Sequence, residues 1–284
     1  SLGNGRTAIA ITTSGDHTCV ILDNGSVSCW GNNDYGQLGD GTTVYQNTPN
    51  FLFFPERIFI IDSTATEITA GDFHTCTILD NGSVSCWGHN SNGQLGDGTN
   101  TVRNTPTQTS SFGTDRTAVA ITGGRDHTCV LLEDGSVSCW GDNSGGQLGD
   151  GTTTDRNTPT QTSSLGAGRT AVAITAGEYH TCAILDDRSV SCWGDNGWGQ
   201  LGDGTYADRN APNESFFMKI KYYALIPYYF ILCGFFLKYK LYQIPSVKIK
   251  KIEAGRIEAE RLETERQAKR EAERLDAEIK EREE

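Results

Sequence analysis

The triplet His-Thr-Cys, followed nine residues later by Cys-Trp-Gly, occurs four times in this chain. The copies stand at His17/Cys19/Cys29/Trp30, His74/Cys76/Cys86/Trp87, His127/Cys129/Cys139/Trp140 and His180/Cys182/Cys192/Trp193. Successive copies start 57, 53 and 53 residues apart. A period near 50 residues marks a repeat architecture, in which each unit is one supersecondary module and stacked neighbours bury a continuous core. Eight of the nine cysteines share this register, so the phrase bears on fold and redox compartment together.

The third unit reads most clearly. Residues 116–122 alternate apolar with small or polar residues and are rich in β-branched side chains, the pattern of a strand. Residues 126–132 predict a second strand, Glu133-Asp134-Gly135 a turn and residues 136–140 a third strand. A short edge strand at Thr160-Gln161-Thr162 follows Pro159. No helical period is present, so the unit is all-β.

The turn decides how the cysteines face each other. In the first unit a three-residue loop, Asp23-Asn24-Gly25, suits a type I turn closed by a left-handed glycine. That loop pairs Ile21 with Val27, Val20 with Ser28 and Cys19 with Cys29. Directly opposed residues of a hairpin lie within disulfide range. The same logic predicts Cys76–Cys86, Cys129–Cys139 and Cys182–Cys192. In the fourth unit Asp186-Asp187-Arg188 places Arg where the turn wants Gly, which predicts strain or a different loop. The competing reading, with His17, Cys19 and Cys29 as zinc ligands, lacks a Cys-x-x-Cys knuckle. Four repeated disulfides point to an oxidising, extracellular compartment.

Charge divides the chain. Residues 1–213 contain no lysine, nine arginines and 23 Asp and Glu. Nucleic acid is not an expected partner, because phosphate binding needs clustered Lys and Arg. At Phe216 the composition changes. Residues 222–237 are sixteen residues without a charge, bracketed by Lys219, Lys221, Lys238 and Lys240. As a helix they span about 24 Å against a hydrocarbon core of about 30 Å. Snorkelling lysines and aromatic flanks extend the reach, and residues 216–242 are read as a single membrane-spanning helix region. More positive charge follows the span than precedes it, which places the C-terminus in the cytoplasm and the repeats outside. Residues 248–284 carry 11 Lys and Arg against 12 Asp and Glu and read as a charged helix. Its short apolar seam leaves a solvated single helix and a parallel coiled coil both open. The absence of a signal peptide ahead of Ser1 suggests a C-terminal part or processed product, with further repeats upstream.

The ordered series Gly15-Asp16-His17-Thr18-Cys19, Asp23-Asn24-Gly25-Ser26-Val27, Trp30-Gly31 and Gly36-Gln37-Leu38-Gly39 resembles the regulator of chromosome condensation repeat. The last element recurs at Gly93-Gln94-Leu95-Gly96, Gly146-Gln147-Leu148-Gly149 and Gly199-Gln200-Leu201-Gly202. The resemblance covers residues 1 to about 213. It implies a β-propeller with four-stranded blades, commonly seven of them. The cysteine pair is not part of the eukaryotic nuclear pattern and looks like the secreted microbial or archaeal branch. Four units, at about 6–50, 62–115, 116–168 and 169–213, imply a partial propeller of about four blades, an arc with open strand edges at both ends.

The sequence offers few sites. The four His and the four repeated Trp recur identically and read as scaffold. Asp40, Asp97, Asp150 and Asp203 sit in Gly-Asp-Gly-Thr runs that suggest calcium, but they lack the terminal Glu of an EF-hand and read as turn caps. No cofactor, metal or catalytic set is expected. Two departures from the repeat stand out as contact candidates. One is the apolar stretch 50–61, with Phe51, Phe53 and Phe54; the other is Trp198, which lies outside the repeated phrase. The expected function is a non-enzymatic, membrane-anchored extracellular propeller that binds a protein or glycan, with self-association through the C-terminal helix or open blade edges. The alternatives are guanine-nucleotide exchange on a small GTPase, as in the nuclear family member, and an enzyme-inhibitor-like binding module.

Overall fold

The computed structural model describes residues 5–52 and 64–214. The chain divides into Ser1–Lys219 and Ile220–Glu284; the second unit lies outside the described residues, as do the expected membrane helix (216–242) and charged helix (248–284). So do Phe53, Phe54 and most of the apolar stretch 50–61.

The described chain is four sheets of four strands and no helix. Blade 1 comprises β1 (Ala8–Thr13), β2 (His17–Leu22), β3 (Val27–Gly31) and β4 (Gln46–Leu52). Blade 2 comprises β5 (Ala65–Ala70), β6 (His74–Leu79), β7 (Val84–Gly88) and β8 (Arg103–Gln108). Blade 3 holds β9 (Ala118–Gly123), β10 (His127–Leu132), β11 (Val137–Gly141) and β12 (Arg156–Gln161). Blade 4 holds β13 (Ala171–Ala176), β14 (His180–Leu185), β15 (Val190–Gly194) and β16 (Arg209–Glu214). Each sheet is an antiparallel meander in sequence order. The first strands contact one another in the series β1, β5, β9, β13, as inner strands of successive propeller blades do.

The two middle strands of each blade form the expected hairpin. Cys19 opposes Cys29, Cys76 opposes Cys86, Cys129 opposes Cys139 and Cys182 opposes Cys192. Gly25 adopts φ 75°, the left-handed geometry the three-residue loop requires. The fourth hairpin keeps the same loop. Arg188 stands at φ 68°, and its N–H donates to Leu185 O at 2.9 Å, as Gly25 donates to Leu22 O. Of the two expectations for this turn, strain rather than a different loop is the outcome.

The outer strand departs from expectation. It spans Arg156–Gln161 in blade 3, starting four residues before the predicted Thr160. Proline is admitted because this strand lies at the sheet edge, where an N–H can be spared from the ladder. In blade 1 the outer strand runs to Leu52, with Asn50 opposite Cys29 and Phe51 opposite Ser28. The start of the apolar stretch is therefore strand, not linker.

The core sits between blades. Cys19, Ile21, Val27, Cys29 and Leu38 of blade 1 pack with Ala65 and Trp87 of blade 2. Cys76 and Cys86 do the same with Trp140, and Cys129 and Cys139 with Trp193. The first three disulfides thus each floor a pocket filled by the next blade's tryptophan. Glycine is required beneath that indole: a Cβ on Gly39 would meet Trp87 Nε1 at 2.6 Å.

Candidate functional site

The repeated residues form a joint rather than a site. The Thr75 hydroxyl of blade 2 donates to the main-chain carbonyl of Gln37 in blade 1 at 2.8 Å, and the Trp87 indole N–H donates to the same oxygen at 2.9 Å. Because the hydroxyl proton goes to that carbonyl, Thr75 Oγ1 must accept from His17 Nε2, 2.8 Å away. His17 therefore carries a proton on Nε2. The same chain links His74, Thr128, Gln94 and Trp140, and again His127, Thr181, Gln147 and Trp193. Burial pushes His17 down to about 4, His74 to about 3 and His127 to about 4, consistent with neutral donors. The Nδ1 atoms of His74 and His127 have no partner; in blade 1 that place is filled by Ser14, whose Oγ lies 2.8 Å from His17 Nδ1.

The repeated aspartates are loop caps. Asp97 Oδ1 accepts from the Thr99 N–H and hydroxyl at 2.9 and 2.7 Å, while Oδ2 pairs with Arg103 at 2.8 Å. Partial burial opposes its ionisation, yet these donors hold its carboxyl below the ordinary range. Asp150 repeats this arrangement with Thr152 and Arg156, and Asp203 with Thr205 and Arg209. In blade 1, where Gln46 replaces the arginine, Asp40 accepts from Asn50. Among the described residues no three His, Cys, Asp or Glu side chains converge as a metal would require.

A group of non-repeating residues gathers on one set of loops. Two kinds of loop contribute: those between the first and second strands, and those following each Trp-Gly. Tyr35 packs edge-on against Phe73 at 5.4 Å and His89 at 4.6 Å between ring centroids. His89 Nδ1 lies 3.4 Å from the Asp126 carboxylate, and the Gln94 amide donates to both at 2.8 Å. Next to Asp126 is Arg125. Its guanidinium reaches Glu178 at 3.1 Å, Asp126 at 3.5 Å and Asp72 at 4.0 Å, and it also bonds the Tyr179 hydroxyl. One cation thus ties carboxylates of three successive blades. Burial, with Glu178 nearby, raises the Asp72 pKa, Arg125 opposing. Burial also opposes ionisation of Asp126, but the His89 contact and neighbouring cations hold its pKa below the ordinary value.

The contact candidates fall into place differently. Trp198 is not outside the repeat register, as the sequence suggested. It occupies the position of Tyr35, and its N–H donates to Gln200 Oε1 at 2.9 Å as the Tyr35 N–H donates to Gln37 Oε1. Tyr35 is partly covered by Phe73 of the following blade; Trp198, in the last described blade, is 91% exposed. Phe51 contributes its backbone to β4. The sequence reading missed Tyr35, Phe73, His89, Arg125, Asp126, Glu178 and Tyr179. The available signal was column variation: positions 15, 72, 125 and 178 read Gly, Asp, Arg and Glu, amid nearly invariant neighbours.

Residues 2–227 match the family model of the RCC1-like domain. The chain belongs to the RCC1-like domain family. Its RCC1-like region is 32% identical over 194 residues to the RCC1 domain-containing protein RUG3, mitochondrial, of Arabidopsis thaliana, covering 68% of this chain and 43% of that protein. It is 33% identical over 197 residues to the probable E3 ubiquitin-protein ligase HERC4 of Homo sapiens, covering 69% of this chain and 18% of that one. The chain therefore spans less than half the length of either relative. Among solved structures, the yeast RCC1 protein Prp20, crystallised with Kap60, superposes with a TM-score of 0.65 at 18% identity, over 76% of this chain and 50% of that one. Human WBSCR16 superposes at 0.51 and 19% identity, over 75% and 68% respectively. These likenesses establish a propeller-type blade arrangement for the RCC1-like arc.

Proposed function

We propose that the RCC1-like arc is a non-enzymatic binding module, and that its partner, a protein or glycan, meets the loops carrying Tyr35, Phe73, His89, Arg125, Glu178 and Trp198. The observation that carries this reading is that non-repeating residues of successive blades meet on adjoining loops, Tyr35 with Phe73 and His89 and Arg125 with Asp72, Asp126 and Glu178, while most of the repeated residues are committed elsewhere. His17, His74 and His127 are held as donors to threonines and the repeated aspartates as loop caps. That distribution supports recognition rather than turnover. Propeller loop faces present large, shape-specific surfaces, and exposed aromatics such as Trp198 suit the centre of an interface. The four cystines support a location outside the cell, with 216–242 as membrane anchor and the C-terminus in the cytoplasm.

The test is a glycan array and a cell-surface protein array probed with the full chain, beside Arg125→Glu and the double variant Tyr35→Ala/Phe73→Ala. Binding that the wild type shows and both variants lose at unchanged melting temperature supports the loop face. Binding that both variants retain overturns it. The yeast protein Prp20p has binding properties to Gsp1p and histones. A GTPase-exchange role for this chain is the second reading, and cytosolic exposure of residues 1–213 with reduced cysteines would favour it.

A further inference from the structure

We propose that the side-chain amides of Asn81 and Asn24 are acceptors for N-linked oligosaccharide. The inference rests on the reading that the repeats are exported from the cell. Both residues stand in the phrase Asn-Gly-Ser, the acceptor pattern for this modification. They occupy the tips of the β6–β7 and β2–β3 hairpins. Blades 3 and 4 carry Asp134 and Asp187 at the same place, and a carboxylate has no amide nitrogen to accept a sugar.

The blade 3 hairpin shows how the tip is organised. Asp134 Oδ1 accepts from the Ser136 N–H at 2.9 Å and from its hydroxyl, and Oδ2 pairs with Arg116 at 2.7 Å. In blade 2 the Ser83 N–H and hydroxyl meet one side-chain atom of Asn81 at 2.9 and 2.7 Å, and in blade 1 Ser26 meets Asn24 at 3.3 and 2.7 Å. A main-chain N–H only donates, so the atom it meets is the carbonyl oxygen. Nδ2 therefore takes the place that Oδ2 holds in blade 3. Among the described residues Asn81 Nδ2 has no hydrogen-bond partner. Asn81 is exposed with blade 1 on one side and blade 3 on the other, and Asn24 is exposed as well.

Beside Asn81 runs a groove of about 210 Å³, lined by Ser83, Gln108, Ser110, Phe112 and Arg116 among others. Phe112 is half-buried, its ring 6.1 Å from that of Trp140. An aromatic floor with a polar rim suits the first sugar, whose C–H face packs on the ring while its hydroxyls meet the rim. The hairpin tips lie at the opposite end of the blades from the loops carrying Tyr35 and Arg125, so a glycan here leaves that face open.

In the transfer, Nδ2 attacks the anomeric carbon of a lipid-pyrophosphate-linked oligosaccharide. The N–C bond forms, the bond from that carbon to the pyrophosphate oxygen breaks, and the lipid pyrophosphate leaves with the electron pair. A base of the transferase takes the amide proton. Asn-Gly admits a competing reaction, in which the glycine nitrogen attacks the asparagine Cγ and ammonia leaves. Here the Gly82 N–H is committed to Leu79 O at 2.9 Å and the Gly25 N–H to Leu22 O at 2.8 Å, which holds both nitrogens within the turn.

The test gives the full chain a cleavable export leader in a cell line that transfers N-linked glycans. The glycans are removed with a peptide amidase in heavy-oxygen water, and the peptides are mapped by mass. Labelled aspartate is expected at positions 24 and 81, with the label at 81 lost in both Asn81→Gln and Ser83→Ala. The serine variant keeps the asparagine and so separates loss of the acceptor pattern from loss of the amide. Unmodified asparagine at both positions in a chain with all four cystines formed overturns the proposal, and so does label at Asn213 alone. Unlabelled aspartate at position 81 means cyclisation and overturns it too. The leader fixes the compartment, so each of these failures belongs to the acceptor site. Failure of the export reading is seen separately: protection of residues 1–213 from protease added to the protein's own intact cells would overturn that reading, and this proposal with it.

Discussion

The indole N–H of Trp140 in blade 3 donates to the main-chain carbonyl of Gln94 in blade 2 at 2.9 Å, and the Thr128 hydroxyl donates to the same oxygen. The two donors are not equivalent. Trp140→Phe removes one donor, worth about 1 kcal/mol net, and leaves a void in the buried pocket that costs about 1 kcal/mol more. Thr128→Val removes the second donor and also strands the buried His74 N–H, whose acceptor is the threonine oxygen. A buried donor left unpaired costs a further 1–3 kcal/mol or so. Urea unfolding should therefore show Thr128→Val to be the more damaging change, by about 1 kcal/mol. An equal or smaller loss for valine would mean that the His74 proton is not on Nε2.

The same histidines make stability depend on pH. Burial lowers His17 and His127 to about 4 and His74 to about 3, from an ordinary value of 6.5. Between these limits the unfolded chain holds more protons than the folded one, so stability rises with pH. It is fully present above about 6.5 and drains away as pH falls toward 4. Each histidine contributes a slope of at most about 1.4 kcal/mol per pH unit. Melting temperature should fall steadily from pH 7 to pH 4.5, and His74→Gln should flatten that slope. A melting temperature constant over the range would contradict the buried neutral assignment.

Arg188 holds φ 68° at the turn position where Gly25, Gly82 and Gly135 hold 75°, 74° and 76°. A left-handed conformation costs a residue with a Cβ about 1 kcal/mol relative to glycine. Arg188→Gly should therefore stabilise the chain by about that amount despite shortening a side chain. Thermal unfolding of the two chains checks this, and a destabilised glycine variant would show that the arginine side chain outweighs its backbone strain.

The hairpins were legible in the sequence because their determinants are local. Asp23-Asn24-Gly25 sets the loop, the loop sets the register, and the register brings Cys19 opposite Cys29. The joint was not legible. His17 and Thr75 are 58 residues apart, and their shared acceptor is the backbone of Gln37, a group every residue carries. Sequence could say that His17 and Trp87 were scaffold, but not that they belong to opposite sides of one seam. Trp198 was misplaced for a related reason. Its column varies through Tyr35, Asn92, Gly145 and Trp198, so the residue itself resembles no repeat, although the Gly199-Gln200 that follows it fixes its register. The Arg125 cluster escaped because its carboxylates come from three blades, and only their packing brings Asp72, Asp126 and Glu178 to one guanidinium.

The disulfides should differ in accessibility along the arc. Each closes the same short loop, with ten residues of separation, so each restrains the unfolded chain by a similar amount, about 3 kcal/mol. Their burial is not equal. Cys19, Cys76 and Cys129 are fully buried beside the next blade's tryptophan, whereas Cys182, in the last described blade, is only partly buried. Exchange requires a thiolate to reach a sulfur. Under mild reductant at neutral pH, Cys182–Cys192 should open first, with the other three pairs opening only as blades separate. Timed alkylation with peptide mass mapping gives the order directly. Simultaneous opening of all four would mean that reduction proceeds through global unfolding. Early opening of Cys129–Cys139 would mean that Trp193 does not seal it.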